Sequence, residues 1–176
     1  MRFSMHSVHI RPLEKNDAYA SVKWRNQPDL WIHTKFKAVH EITIEDELAW
    51  IEKVMSDSSS ARFAIVADGV YVGNIYLTNI HQGVGEYHIF IGDKNYWGKG
   101  IARQASIQII DHGKNILGLK TIKLEVRSEN AAAYHLYKSL GFKEVGNSED
   151  GYVLMELDGE NWINDSHKEK NNEAKG

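Results

Sequence analysis

Between Phe90 and Ala102 the chain reads Phe-Ile-Gly-Asp-Lys-Asn-Tyr-Trp-Gly-Lys-Gly-Ile-Ala, a strand that runs into a glycine-bearing loop and then opens a helix. No side chain in Gly98-Lys99-Gly100 can cap that helix, so its first backbone N–H groups lack an internal partner. The helix dipole favours an anion at this end. Gly98 and Gly100 would let a diphosphate approach the backbone without meeting a Cβ, and Lys99 adds a cation. Two other phosphate loops are excluded. A Walker loop needs four residues between its glycine and a Gly-Lys pair followed by Ser or Thr, whereas five separate Gly92 from Gly98 here, and Gly100 follows Lys99. A dinucleotide fingerprint would have a third Gly or Ala where Arg103 stands. A tight strand-to-helix connection would by itself also account for the two glycines.

The rest of the chain surrounds this loop with alternating elements. Val8 and Ile10 form a short edge strand that stops at Pro12. Asp17 is placed to cap a helix through Ala18, Val22 and Trp24 that ends near Pro28, and Thr43 to cap a second through Leu48, Trp50, Ile51, Val54 and Met55. Three strands follow: Phe63–Ala67, then Val70–Thr78 after an Asp68-Gly69 turn, with Gly73 as a bulge, then Tyr87–Ile91. A helix from the glycine loop to about Leu117, a strand through Ile122, Leu124 and Val126, a helix from Ala131 to Leu140 and strands at Lys143–Val145 and Tyr152–Leu157 complete one domain. The expected fold is α/β of the α+β kind: a mixed, mostly antiparallel sheet of about seven strands flanked by about four helices. The domain spans residues 1–157. Residues 158–176 form a polar tail in which only Trp162 and Ile163 can pack, and its last dozen residues read as disordered.

The 176 residues contain no cysteine, which excludes disulfides, thiolate metal sites and a cysteine nucleophile. A formal charge of −3 lacks the basic surplus of a general nucleic-acid binder. No apolar run approaches the length of a membrane span, so the expected location is cytoplasmic. The nine histidines show no metal-ligand spacing, and no metal is expected.

A second segment stands thirty residues beyond Gly100. Asn130 can cap its helix, Ala133, Leu136 and Leu140 make an apolar stripe, and Gly141 suits a left-handed C-terminal turn onto which Phe142 folds back. Tyr137 borders that stripe. Its phenol is a plausible proton donor to a departing thiolate, or simply an amphipathic core residue.

Together the two segments resemble the GCN5-related N-acetyltransferase (GNAT) superfamily. Asn95-Tyr96-Trp97-Gly98-Lys99-Gly100 is similar to its acyl-CoA pyrophosphate signature, with Asn95 in place of the usual Gln or Arg. Asn130, Ala133, Leu136, Tyr137, Gly141 and Phe142 match its second signature. The Tyr-Trp-Gly-Lys-Gly-Ile-Ala form resembles the ribosomal-protein acetyltransferase branch. The resemblance implies acetyl-CoA as acyl donor, direct attack by an amine in a ternary complex, and a splayed strand pair that holds the donor. Phe90, Ile91, Trp97, Gly98, Lys99, Gly100, Ile101, Ala102, Asn130 and Tyr137 would then contact acetyl-CoA. Backbone N–H groups near Phe90 or Ile91 would polarise the thioester, and Tyr137 would protonate the thiolate. The base would be Glu86, with His88 on the same strand face as an alternative and as a substrate contact.

For the acceptor, Trp24-Arg25-Asn26-Gln27-Pro28 resembles enzymes that acetylate nucleotide-linked amino sugars, as in pseudaminic acid biosynthesis, and such a sugar is the expected acceptor, with a polyamine as the alternative. Arg25 would grip a diphosphate and Trp24 would stack on a base or sugar; a core anchor and its salt-bridged neighbour is the structural alternative. Asn79-Ile80-His81 ahead of Glu86-Tyr87-His88 is similar to spermidine acetyltransferases, with Glu41, Glu45, Asp46 and Glu47 as an acidic cluster. Ribosomal-protein acetylation and a non-catalytic CoA sensor are the further alternatives. The implied partner is a small-molecule amine, with neither nucleic acid nor membrane, and a homodimer is left open.

Overall fold

The computed structural model describes residues 6–27, 40–159 and 162. Seven strands form one sheet in the order β1-β2-β3-β4-β5-β7-β6. They are β1 (Val8–Pro12), β2 (Ala61–Ala67), β3 (Val70–His81), β4 (Val84–Ile91), β5 (Thr121–Arg127), β6 (Lys143–Asn147) and β7 (Tyr152–Asp158). Every neighbouring pair is antiparallel except β4 with β5, which run parallel. Four α-helices lie on the described chain: α1 (Ala18–Arg25), α2 (Ile44–Met55), α3 (Ile101–Asn115) and α4 (Ala131–Ser139). No helix among the described residues is long and apolar enough to cross a membrane.

Strand alternation gives the sheet two separate apolar layers. Ile65, Ile75, Leu77, Tyr87, Leu124 and Met155 bury one face against Ile101, Ala105 and Ile109 of α3 and Tyr137 of α4. The other face packs Ala64 with Ala18 of α1 and Ile51 and Val54 of α2. Opposite the Ile65/Val66 step Val72 is the extra residue of a bulge, so Val72 and Ile75 share a face despite their odd spacing. The bulge expected at Gly73 therefore sits one residue earlier. Gly73 matters for another reason. A Cβ there would meet the Phe90 carbonyl oxygen at 2.3 Å, so only glycine lets β3 and β4 close at this point.

Most local expectations hold. Thr43 caps α2 with a reciprocal capping box to Asp46, and Asp68-Gly69 turns the β2–β3 hairpin with both residues at positive φ. Trp162 is buried, whereas Pro28, Ile163 and the last dozen residues lie outside the described residues. Two readings need correction. Asp17 does not cap α1: a 3-10 turn at Lys15–Asp17 precedes that helix, and the buried Asp17 carboxylate instead takes a two-pronged bond from Arg11 at 2.7 and 2.9 Å. The same carboxylate accepts the Glu14 N–H at 2.8 Å, so it is turned back to the preceding turn and to Arg11 and away from the α1 N–H groups. The middle hairpin is also longer than expected. β3 continues to His81 and β4 begins at Val84, because Gln82 and Gly83 take the two positive-φ positions of the turn.

Candidate active site

The ladder between β4 and β5 covers only Val84–Glu86 against Thr121–Lys123, after which β5 goes on pairing with β7 alone. The two parallel strands thus part at Tyr87. The peptide groups that face the gap follow from the bond of Gly92 N–H to the Val72 carbonyl at 2.8 Å. Successive peptides point to opposite strand edges, so Phe90 and His88 turn theirs to β3 while Ile89 and Ile91 turn theirs to the gap. The backbone donor next to the gap is therefore on Ile91 or Ile89, not on Phe90. Trp97, about half exposed, donates its indole N–H to the Ile91 carbonyl at 2.9 Å and ties the loop to the strand end.

The loop delivers the α3 N-terminus beside this gap. Gly98 and Gly100 lie at φ of 69° and 76°, and a Cβ at either would meet nothing within 4 Å. No side chain caps α3. Left-handed backbone, open space and uncapped N–H groups fit a bound diphosphate. Lys99 lies exposed between the glycines, Ile101 is buried in the core below, and Ala102 is half-buried in the first helical turn. Asn95 is exposed, its N–H bonded to Asp93 at 3.0 Å.

Asn130 caps α4 by accepting the Ala133 N–H at 3.3 Å. One helical turn later Tyr137 is 7% exposed, its ring edge-on to Tyr87 at 5.4 Å. Burial pushes the Tyr137 phenol up to about 12, with the neighbouring Tyr87 hydroxyl acting in the opposite direction.

On the opposite sheet face stand Glu86, His88 and Phe90. Asn79 donates to Glu86 Oε2 at 2.9 Å and Lys123 lies 3.6 Å from Oε1. His88 Nε2 is hydrogen-bonded to Thr78 at 3.0 Å and stands 4.0 Å from Glu86. Crowding by the surrounding protein lowers the His88 pKa below its usual value, against the pull of the Glu86 and Glu125 carboxylates.

A family model for the acetyltransferase (GNAT) domain matches residues 7–143. The chain belongs to the GNAT acetyltransferases. Spermidine N(1)-acetyltransferase of Escherichia coli K12 is 32% identical over 148 residues, which cover 81% of this chain and 76% of that one. Acetyltransferase PseH of Campylobacter jejuni (strain 81-176) is 28% identical over 132 residues, 75% of this chain and 80% of its own. The crystal structure of Vibrio cholerae spermidine N-acetyltransferase with CoA and spermine superposes with a TM-score of 0.81 at 24% identity, covering 89% of this chain and 98% of that one. The seven-stranded GNAT fold expected from the motifs is the fold present, and the chain is an N-acetyltransferase whose acyl donor is acetyl-CoA.

Within this GNAT domain the residues expected to read the acceptor lie mostly inside. Trp24 is 8% exposed and lies over Gly92, where a Cβ would come within 2.0 Å of its ring. Tyr71 and Phe90 flank it at 4.8 and 6.3 Å. Arg25 Nε lies 3.1 Å from the buried Glu47 carboxylate, and its guanidinium stacks on Trp50 at 4.8 Å. Both residues thus take the structural alternative open to them. The acidic cluster on α2 is likewise divided, with Glu47 turned inward and Asp46 in the capping box. A cavity of about 80 Å³ remains between these side chains and Tyr76. Two further residues beside Tyr137 were not singled out by motif, Tyr87 and Ser106. Ser106 left one signal, a hydroxyl on the otherwise apolar face of α3.

Proposed function

We propose that this GNAT enzyme acetylates a small cationic amine of the polyamine type. The observation that carries this reading is that Arg25 and Trp24 are engaged in packing, while among the described residues the acceptor face next to the gap carries Glu86, His88 and Glu125, with Thr78, Asn79 and Lys123 beside them. Two carboxylates around a neutral imidazole attract an ammonium and can take its proton. Identity to a spermidine acetyltransferase points the same way. A nucleotide-linked amino sugar is the second reading, supported by the likeness to PseH and by the resemblance carried by Trp24-Arg25-Asn26-Gln27-Pro28.

In this reading the Gly98–Ile101 backbone and Lys99 hold the diphosphate, and Asn130 meets the pantetheine arm. Acetyl-CoA supplies a thioester carbonyl and a thiolate leaving group. The Ile91 or Ile89 N–H polarises that carbonyl from the gap. His88, kept neutral, accepts the proton of the incoming ammonium, and Glu86 balances the charge so formed. Tyr137 donates its hydroxyl proton to the sulfur.

Release of free thiol from acetyl-CoA tests the reading directly, since the protein itself contributes none. Spermidine, a nucleotide-linked amino sugar and a ribosomal-protein N-terminal peptide form the panel. Turnover with spermidine is expected. Turnover with the amino sugar alone would move the conclusion to the second reading, and acetyl-CoA binding without release with any amine would mark a sensor.

A further inference from the structure

Near the end of β3 the alternation of faces breaks. Leu77 and Ile80 both pack into the α3/α4 layer despite their odd spacing, and a Cβ on Gly85 would meet the two of them. The register explains this. Thr78 pairs with Glu86 and His81 with Val84, so Asn79 and Ile80 of β3 stand where β4 has Gly85 alone. Asn79 absorbs the extra length at a φ of 48°, a backbone that its short polar side chain tolerates. The Ile80 N–H bonds the Ser59 carbonyl at 2.8 Å, which fastens the bulge to the turn after α2.

The bulge sends two successive side chains to the acceptor face. Thr78 Oγ1 lies 3.0 Å from His88 Nε2, and Asn79 donates to Glu86 Oε2 at 2.9 Å. In an unbroken strand Asn79 would point into the apolar layer instead. Glu86 and His88 keep part of their surface exposed, so packing alone does not hold them.

We propose that Thr78 and Asn79 are positioning residues, a clamp made by the β3 bulge that sets His88 and Glu86 for proton transfer. The proposal rests on the reading of His88 as base and Glu86 as its charge partner. In the clamp Thr78 accepts the His88 Nε2–H, which leaves the Nδ1 lone pair for the acceptor. The ammonium proton passes to Nδ1 while Nε2 keeps its own. Glu86, 4.0 Å from Nε2, balances the imidazolium so formed. Asn79 holds one Glu86 oxygen and Lys123 stands 3.6 Å from the other, which fixes the carboxylate beside the ring. Two polar pairs that merely decorate a strand face are the simpler role, and that role predicts no effect on rate when either is removed.

The first test reads the protein without donor or acceptor by ¹⁵N imidazole NMR at about pH 8, above the ordinary histidine value. His88 is expected as the Nε2–H tautomer. Thr78→Val, which keeps the shape and removes the hydroxyl, should shift its Nε2 resonance. An Nδ1–H tautomer in the wild type, or an Nε2 resonance that Thr78→Val leaves in place, would overturn the clamp. The second test measures thiol release with whichever panel amine is turned over. Asn79→Gly removes the amide and keeps the left-handed backbone accessible. It and Thr78→Val should each lower kcat about tenfold at unchanged KM for acetyl-CoA, and Thr78→Ser should restore the rate. In a Glu86→Ala background Asn79→Gly should slow the enzyme no further, and in a His88→Gln background Thr78→Val should slow it no further. A wild-type kcat for Thr78→Val or Asn79→Gly while Glu86→Ala and His88→Gln are slow, or effects that multiply, would overturn the clamp itself. Wild-type rates for Glu86→Ala and His88→Gln would overturn it through the assignment of the base.

Discussion

Replacing Gly92 by alanine tests how β4 is joined to the acceptor side. The new Cβ would lie 2.0 Å from Trp24 Cδ2 and 2.3 Å from Cγ. Ordinary carbon contacts are about 3.5–4.0 Å, so the indole must retreat by roughly 1.5 Å. It has little room, with Tyr71 at 4.8 Å and Phe90 at 6.3 Å from ring centre to ring centre. Overpacking of a buried site costs about 1–3 kcal/mol, and a rigid ring with aromatic neighbours belongs at the upper end. For a chain of this size each kcal/mol lowers Tm by about 2–4 °C, so Gly92→Ala should unfold about 6–12 °C below wild type. Thermal unfolding by circular dichroism measures this, with the near-ultraviolet signal reporting the indole. Trp24→Leu should absorb part of the penalty, since contacting residues do not add. A Tm within about 2 °C of wild type would refute the placement of Trp24 on Gly92.

Other outcomes can be checked in the same preparations. Tyr137→Phe should lower kcat about a hundredfold with little change in KM for acetyl-CoA, within the range for a lost proton donor; an unchanged rate returns Tyr137 to a packing role. Because desolvation by the surrounding protein and the Arg62 charge lower the His88 pKa below the usual histidine value, kcat/KM should stay level as pH falls to about 6.5 and drop only below it, as His88 gains its proton. His88→Gln should abolish that acid limb, and a limb that persists assigns the base elsewhere. Thr43→Ala removes the α2 cap and should cost about 1 kcal/mol, seen as a Tm about 2–4 °C lower. Glu47→Ala leaves the Arg25 guanidinium without its buried carboxylate and should cost about 3–5 kcal/mol in denaturant unfolding.

What the sequence revealed divides by the range of the interaction responsible. Thr43 with Asp46, and Asp68 with Gly69, act over three residues or fewer, and both were legible because their partners are adjacent in the chain. The glycine loop was legible for the same reason. Asp17 misled because its partner, Arg11, lies on a neighbouring element, and nothing in local spacing ranks a guanidinium above a helix N–H. Trp24 over Gly92 and Arg25 against Glu47 bridge distant positions, so the Trp-Arg-Asn-x-Pro segment could be read as a ligand grip until its partners were known. Tyr87 went unnoticed because alternation marks an inward residue without revealing that a hydroxyl waits on the facing helix.

The alternation along β4 gives the enzyme a division of labour. Odd-numbered positions, Tyr87, Ile89 and Ile91, belong to the layer of α3 and α4, while even-numbered Glu86, His88 and Phe90 belong to the layer of α1 and α2. In the proposed mechanism a substitution at an even position acts on the acceptor side and one at an odd position on the thioester side. An insertion of a single residue in β4, by contrast, would exchange the two sets at once and should be lethal to both.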